Sequence, residues 1–237
     1  MGTMNAVKTF IKKIFGISKR WLICCLFFLA ACGDDRSRIM LQHNKMIADS
    51  IAVVQLAARA FTQIRLLEPM IRSGDLITRT GNDFTSESLR KFNQRDQTFS
   101  HCGIASIEND SLFIYHALGG EFNPDEKLKR EPLQLFGEAF NNRGIGIFRY
   151  TLQPEEIARL ISTVKKWYQD GLMFDMQFDL ETNDRMYCAE FVYKALTTAA
   201  AGRFVIKKSH IKDFEFVGVD DLYLQTQCVE LKRILYK

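Results

Sequence analysis

A cysteine and two histidines in the middle of the chain, Cys188, His101 and His116, have the types and spacing that nucleophilic chemistry needs. Cys188 stands just ahead of Phe191, Val192, Ala195 and Leu196, an apolar stripe at helical spacing, so the thiol opens a predicted helix. In the first turn of a helix the unpaired backbone N–H groups and the positive dipole end stabilise a thiolate. The same N–H groups can receive the oxyanion of an acyl intermediate. Taken alone, a cysteine in such a position is more often buried filler than nucleophile. The histidine pair changes that balance. His101 and His116 are fifteen residues apart, on either side of Asn109-Asp110, a pair suited to a tight turn between two strands. Alternation then puts His101, Gly103, Ala105 and Ile107 on one face of the first strand and Leu112, Ile114, His116 and Leu118 on one face of the second. One imidazole could take the thiol proton while the other orients it. The competing reading is two satisfied polar residues at the rim of a sheet.

The remaining candidates carry less. Cys102 follows His101 directly, so it points to the opposite sheet face and reads as core, and Cys228 reads as structural. One thiolate and two imidazoles are also acceptable zinc ligands, with water as a fourth. No paired short-spaced ligand motif accompanies them, so neither a metal nor another cofactor is expected. Asp175 and Asp179 could form a carboxylate pair for glycoside hydrolysis, but without further acids nearby they read as loop or cap residues.

The elements that must position these residues follow from periodicity. Ile47, Ile51, Val54, Ala58 and Phe61 predict one long or two shorter helices from about Arg36 to Leu67, stopped by Pro69. A strand is expected over Asp75–Thr80, then a polar segment from Gly81 to Gln97 with a short helix capped by Thr85 or Ser86. The hairpin strands are expected over His101–Glu108 and Leu112–Leu118. A charged loop follows, with a short helix started by Pro132 that sets Leu133, Phe136 and Phe140 on one side, then a strand over Ile145–Thr151. Pro154 opens an amphipathic helix carrying Ile157, Leu160, Ile161, Val164 and Trp167, ended by Gly171. Two short strands are expected between Phe204 and Leu231, the clearer over Phe214–Val219. Runs of strands and helices without strict alternation predict an α+β domain.

The 237 residues are 47% hydrophobic and 25% charged, ordinary for a globular chain, which excludes disorder and fibrous designs. Lysine and arginine number 32 against 28 acids, but Lys8, Lys12, Lys13, Lys19 and Arg20 crowd the first twenty residues, where no acid occurs. Without them the balance is close to neutral, so no basic face for nucleic acid is expected. The basic stretch leads into Trp21–Ala31, an uncharged, mostly apolar run too short for a membrane span and of the right length for a signal-peptide core. Leu29-Ala30-Ala31-Cys32 resembles the lipobox of bacterial lipoproteins. That resemblance implies cleavage before Cys32, lipidation of its thiol and life in the cell envelope on a stable acyl anchor. Gly33 after the cysteine favours the outer membrane, and Asp34 and Asp35 leave export to the surface as the alternative. The expected organisation is a signal peptide over 1–31, an anchor and N-terminal helix over 32–72 and a catalytic domain over 73–237. With Cys24 and Cys25 removed and Cys32 lipidated, Cys102, Cys188 and Cys228 remain. That odd number leaves at least one free thiol.

The order Gly74-Asp75-Leu76-Ile77, Ser100-His101-Cys102-Gly103-Ile104, Ile114-Tyr115-His116-Ala117 and Tyr187-Cys188-Ala189-Glu190-Phe191-Val192-Tyr193-Lys194 resembles the circularly permuted papain-like hydrolases of the NlpC superfamily, in their YiiX/YaeF-like branch. In that group the histidine strand precedes the cysteine helix. The resemblance spans roughly Gly74 to Lys194 and implies a permuted papain-like fold, with an antiparallel barrel-like sheet packed on a cysteine-bearing helix. It implies Cys188 as nucleophile, His101 as base and His116 as the third polar position. It further implies a cysteine peptidase or amidase working through a thioester, with peptide or amide substrates such as peptidoglycan stem peptides. A lipid acyltransferase or thioesterase, or a silent binding lipoprotein, is the alternative. Two departures from the pattern matter. Phe174 stands where relatives often carry a tyrosine that can serve the oxyanion, and Ala189 stands where serine is common.

Overall fold

The computed structural model describes residues 19–119 and 123–236, with side chains described from residue 36 onward. The basic residues Lys8, Lys12 and Lys13 lie outside the described residues, and the side chain of Cys32 lies outside those described. No helix among the described residues is long and apolar enough to cross a membrane. The chain divides into two compact units, Met1–Val54 and Gln55–Lys237.

The first helix, α1, is Lys19–Leu67, followed by a single 3-10 turn at Glu68–Met70 that contains Pro69. In the first unit Ile47, Ile51 and Val54 are exposed. The buried stripe lies in the second unit instead, at Ala57, Ala60, Ile64 and Leu67. The helical period expected from the sequence holds, but its buried phase is different. Small alanines, rather than the larger apolar residues, mark the packed face because they allow close approach to the sheet.

The second unit is built on a six-stranded antiparallel sheet in the order β4-β3-β2-β1-β5-β8. Its strands are β1 (Leu76–Gly81), β2 (His101–Glu108), β3 (Ser111–His116), β4 (Lys129–Pro132), β5 (Asn142–Tyr150) and β8 (Cys228–Leu235). The β2–β3 hairpin turns at Asn109 and Asp110, both with positive φ (47° and 61°), a conformation their short polar side chains tolerate. This fixes the register, Glu108 opposite Ser111 and Ile104 opposite Tyr115, and with it the face of every side chain. Among the described residues no ladder joins β4 to β8, so the sheet is open where a barrel-like one was expected.

Helices cover both faces. On one side α4 (Pro154–Gln169) and α5 (Cys188–Ala199) bury Leu160, Val164, Phe191, Val192 and Leu196 against Leu76, Ile104 and Phe148. On the other, the last turns of α1 and the one-turn helix α3 (Leu133–Phe136) pack on Ile77, Ala105, Ile114, Ile145 and Ile147. Phe140, expected beside Leu133 and Phe136, is exposed. The short helix α2 (Phe84–Arg90) is capped by Asp83, whose carboxylate accepts the Ser86 N–H at 2.9 Å, not by Thr85 or Ser86. The tail departs furthest from expectation. Ser209–Ile211 and Phe214–Phe216 (β6 and β7) form a separate two-stranded ribbon, Val219–Tyr223 is the short helix α6, and β8 joins the main sheet beside β5.

Candidate active site

The helix carrying Cys188 begins where Tyr187, in extended backbone, hands over to helical residues, and the Tyr187 N–H is held by the Glu190 carboxylate at 3.1 Å. Glu190 is buried and paired with Lys194 at 2.8 Å; burial, partly offset by Lys194, pushes its carboxyl up to about 7. The first turn of α5 is thereby fixed, and Cys188 sits at its head. The Cys102 side chain and the backbone N–H groups of Cys102 and Ala189 act electrostatically on the Cys188 sulfur. The Cys102 thiol is the largest influence and draws Cys188 below the ordinary thiol value; burial opposes it, and the backbone donors and the Arg79 charge assist. Burial pushes Cys102 itself well above that value. The pair therefore divides into a thiolate-prone Cys188 and a Cys102 that stays protonated. Cys102 does lie in the core on the face opposite His101, as alternation requires, yet it also touches the candidate nucleophile, which sequence reasoning missed.

The histidines meet as the hairpin register demands. His101 is the first residue of β2 and His116 the last of β3, on the same face, with His101 Nε2 and His116 Nδ1 2.8 Å apart. Phe136 of α3 lies against both rings, with centroids at 5.7 and 5.1 Å. His116 Nε2 is 3.1 Å from Glu131 Oε2. Glu131 comes from β4, where His116 pairs with Lys129 and Ile114 with Glu131, so the carboxylate falls diagonally across from the ring. This third member was not foreseen. Lys129-Arg130-Glu131-Pro132 has no apolar alternation to announce a strand, and only the pairing register reveals it.

The polarity of the chain is set from its acidic end. His116 lowers the Glu131 carboxyl below the usual carboxylate range. A carboxylate there accepts the His116 Nε2 proton, which leaves His116 Nδ1 to accept from His101 Nε2. His101 Nδ1 then keeps its lone pair. Burial holds His101 well below the usual histidine value, and the Arg79, His116 and Lys129 charges act in the same direction, so the ring is neutral and able to accept a proton. Burial also lowers His116, against the pull of Glu131.

Cys188 and His101 line one cavity of about 260 Å³, together with Phe92, Phe174, Phe178 and Phe216. Among the described residues no hydrogen bond joins the sulfur to the ring; the two reach the cavity from the helix on one face and the strand end on the other. Phe174 is buried in that wall and supplies no donor. Asp175 accepts the N–H groups of Gln177 and Asp179, the loop role expected of it, and Asp179 accepts that of Glu181. Cys228 is half-buried at the start of β8, and its thiol is pushed up to about 12 by burial.

No family model matches the chain, and a search of curated proteins finds no match. Among solved structures, the chain is similar to the metalloprotein YiiX from Escherichia coli O157:H7, assigned to DUF1105, at 19% identity and a TM-score of 0.57 over 69% of this chain and 98% of that one. That protein is described as a metalloprotein. No group of three or more His, Cys, Asp or Glu among the described residues could hold a metal ion, and both nitrogens of His116 are engaged by His101 and Glu131. As arranged, these residues do not fit a metal. What the comparison shows is the architecture: this chain has a YiiX-like α+β fold.

Proposed function

We propose that this chain is a cysteine hydrolase of the permuted papain-like type, held at the cell envelope by lipid on Cys32, that cleaves amides through a thioester on Cys188. The supporting observation is the hydrogen-bonded run Glu131–His116–His101, which ends on the wall of the cavity that Cys188 also lines. His101 Nδ1 takes the thiol proton, and the sulfur attacks the carbonyl carbon. The oxyanion faces N–H groups of the first turn of α5, which lack partners within the helix. Collapse expels the amine with the proton held by His101 and leaves a thioester. Water then loses a proton to His101 and attacks the thioester, and the thiol regains its proton as the acid departs. His116 and Glu131 hold the His101 tautomer and stabilise its charged form.

Stem peptides of the cell wall are the amides such an anchored enzyme would meet. A second reading, acyl transfer or thioester hydrolysis on a lipid, is favoured by the apolar lining of the cavity. The deciding experiment is trapping with an acyl electrophile and mapping of the labelled peptide. Label on Cys188, absent in Cys188→Ser, is the expected result, and Cys188→Ser is expected to fold normally without turnover. Unchanged turnover in that variant, or a Cys188 inert to alkylation across pH, would refute the assignment. Release of amines from wall fragments, against acyl transfer from phospholipid vesicles, separates the two readings.

A further inference from the structure

His101 stands in the walls of two cavities. The apolar one, with Cys188, has been described; the second, of about 500 Å³, shares Leu89, Ser100, His101, Leu118 and Gly119 with it and adds mostly polar and charged residues beside Leu135 and Gly81. Arg79 of β1, half-buried, lines this second cavity. A guanidinium carries five N–H donors. Among the described residues Arg79 donates one hydrogen bond, from Nη1 to the Phe136 carbonyl at 2.7 Å, and it lies over the Phe136 ring at 4.8 Å. No carboxylate among the described residues lies within ion-pair distance of it.

The acids of the same wall are engaged elsewhere. Asp83 caps α2, Glu131 holds His116, Glu138 accepts the N–H groups of Phe140 and Asn141, and Glu126 is 3.9 Å from Lys129. Burial lowers Arg79 below the usual arginine value and the charges of Glu131, Cys188, Glu138 and Asp83 only partly offset this; a half-buried cation with unused donors and no carboxylate in ion-pair contact among the described residues gains from an anion in the cavity. A guanidinium can hold a carboxylate or phosphate by two parallel hydrogen bonds.

We propose that the substrate is bipartite: an apolar acyl group enters the cavity lined by Cys188, and an anionic leaving portion, bearing a carboxylate or phosphate, is held by Arg79 in the cavity on the other side of His101. The inference rests on the hydrolase reading above and deepens it by naming the two halves of the substrate. It places the scissile bond at the shared wall, where His101 can protonate the departing group. Arg79 acts here as a specificity residue and touches the leaving portion rather than the reacting atoms.

The test uses the full chain and activated aryl esters that any nucleophilic Cys188 can attack: octanoyl and acetyl esters of 4-hydroxybenzoate, of the neutral 4-hydroxybenzamide and of 4-hydroxyphenyl phosphate. The expected result is a kcat/KM at least tenfold higher for a charged leaving group than for the amide, and higher for octanoyl than for acetyl. Arg79→Gln is expected to erase the charge preference and keep the chain-length preference, while Arg79→Lys retains part of it. The carboxylate and phosphate arms identify which anion is preferred. Cys188-dependent turnover without a charge preference, or with a preference that survives in Arg79→Gln, overturns the bipartite substrate and leaves the hydrolase standing. Absence of any Cys188-dependent turnover overturns both. The charged-to-neutral ratio of the unaltered protein decides the matter even if Arg79→Gln fails to fold.

Discussion

Cys102, the residue next to His101, acts on the Cys188 thiol through its own thiol and its backbone N–H. Because that thiol is the largest influence lowering Cys188, Cys102→Ala is expected to move the midpoint of Cys188 alkylation by iodoacetamide to higher pH, measured as rate against pH. The histidines differ in what their loss should do. On the proposed mechanism His101→Ala would remove the base and is expected to lower kcat by the full acid–base contribution, about 10² to 10⁴-fold, and His116→Ala by less. Glu131→Gln is expected to lower kcat by a smaller factor still, because the amide oxygen can accept the His116 Nε2 proton and keep the polarity of the run while only the charge is lost. Equal losses for all three would argue against an ordered relay. Cys188 and both histidines were legible from residue type and spacing alone, since a turn signal and strand alternation are local. Glu131 was not, because its relation to His116 exists only through the pairing of β4 with β3, and Arg79 offered no sign in the sequence that it would line a cavity with no carboxylate in ion-pair contact among the described residues.

The β2–β3 hairpin is the element on which the site depends most. Gly103 stands opposite His116 where the strands approach closely: a Cβ there would lie 2.6 Å from the Tyr115 carbonyl oxygen and 2.9 Å from the His116 Cβ. Backbone cannot yield as a flexible side chain can, so Gly103→Ala is expected to push the strands apart, displace His116 and lower both Tm and activity. Thermal unfolding and kcat measured on the same preparation check this. The hairpin, the Pro154 helix and the Cys188 helix could all be read from periodicity because each has a strong apolar pattern of its own. The phase of α1, the strand β4 and the opposite edge strand β8 could not. Alanines do not advertise a buried face, a charged edge strand shows no alternation, and Cys228–Leu235 mixes apolar and charged residues without a clear period.

At the scale of the whole domain, Glu108 ties the sheet to the helix layer. It accepts from Tyr115 OH at 2.8 Å and Arg130 Nη2 at 2.7 Å, and Lys165 of α4 is 3.3 Å away. Burial would raise its carboxyl, but Arg130, Tyr115, Ser106 and Lys165 outweigh that and hold it at about 2. A carboxyl lowered on folding contributes stability above its unfolded value, near 4.5, and loses it as pH falls toward 2. The protein is therefore expected to lose stability across that interval, with Glu108→Gln flattening this acid limb and lowering Tm at neutral pH by about 2–4 °C for each kcal/mol removed. Chemical denaturation at a series of pH values gives the comparison.

The placement of Glu131 on β4 has one more consequence. That strand has four residues, is laddered among the described residues to β3 alone and ends in Pro132, whose missing N–H, with the charges of Lys129 and Arg130, discourages any further strand from docking there. Short edge segments fray at a fraction of the global unfolding free energy. Each such excursion would withdraw the carboxylate from His116 while α5 and its thiol stay folded, and on the proposed mechanism it would weaken His101 as proton acceptor without removing it. Amide hydrogens of Lys129 to Glu131 are expected to exchange with deuterium faster than those of β1.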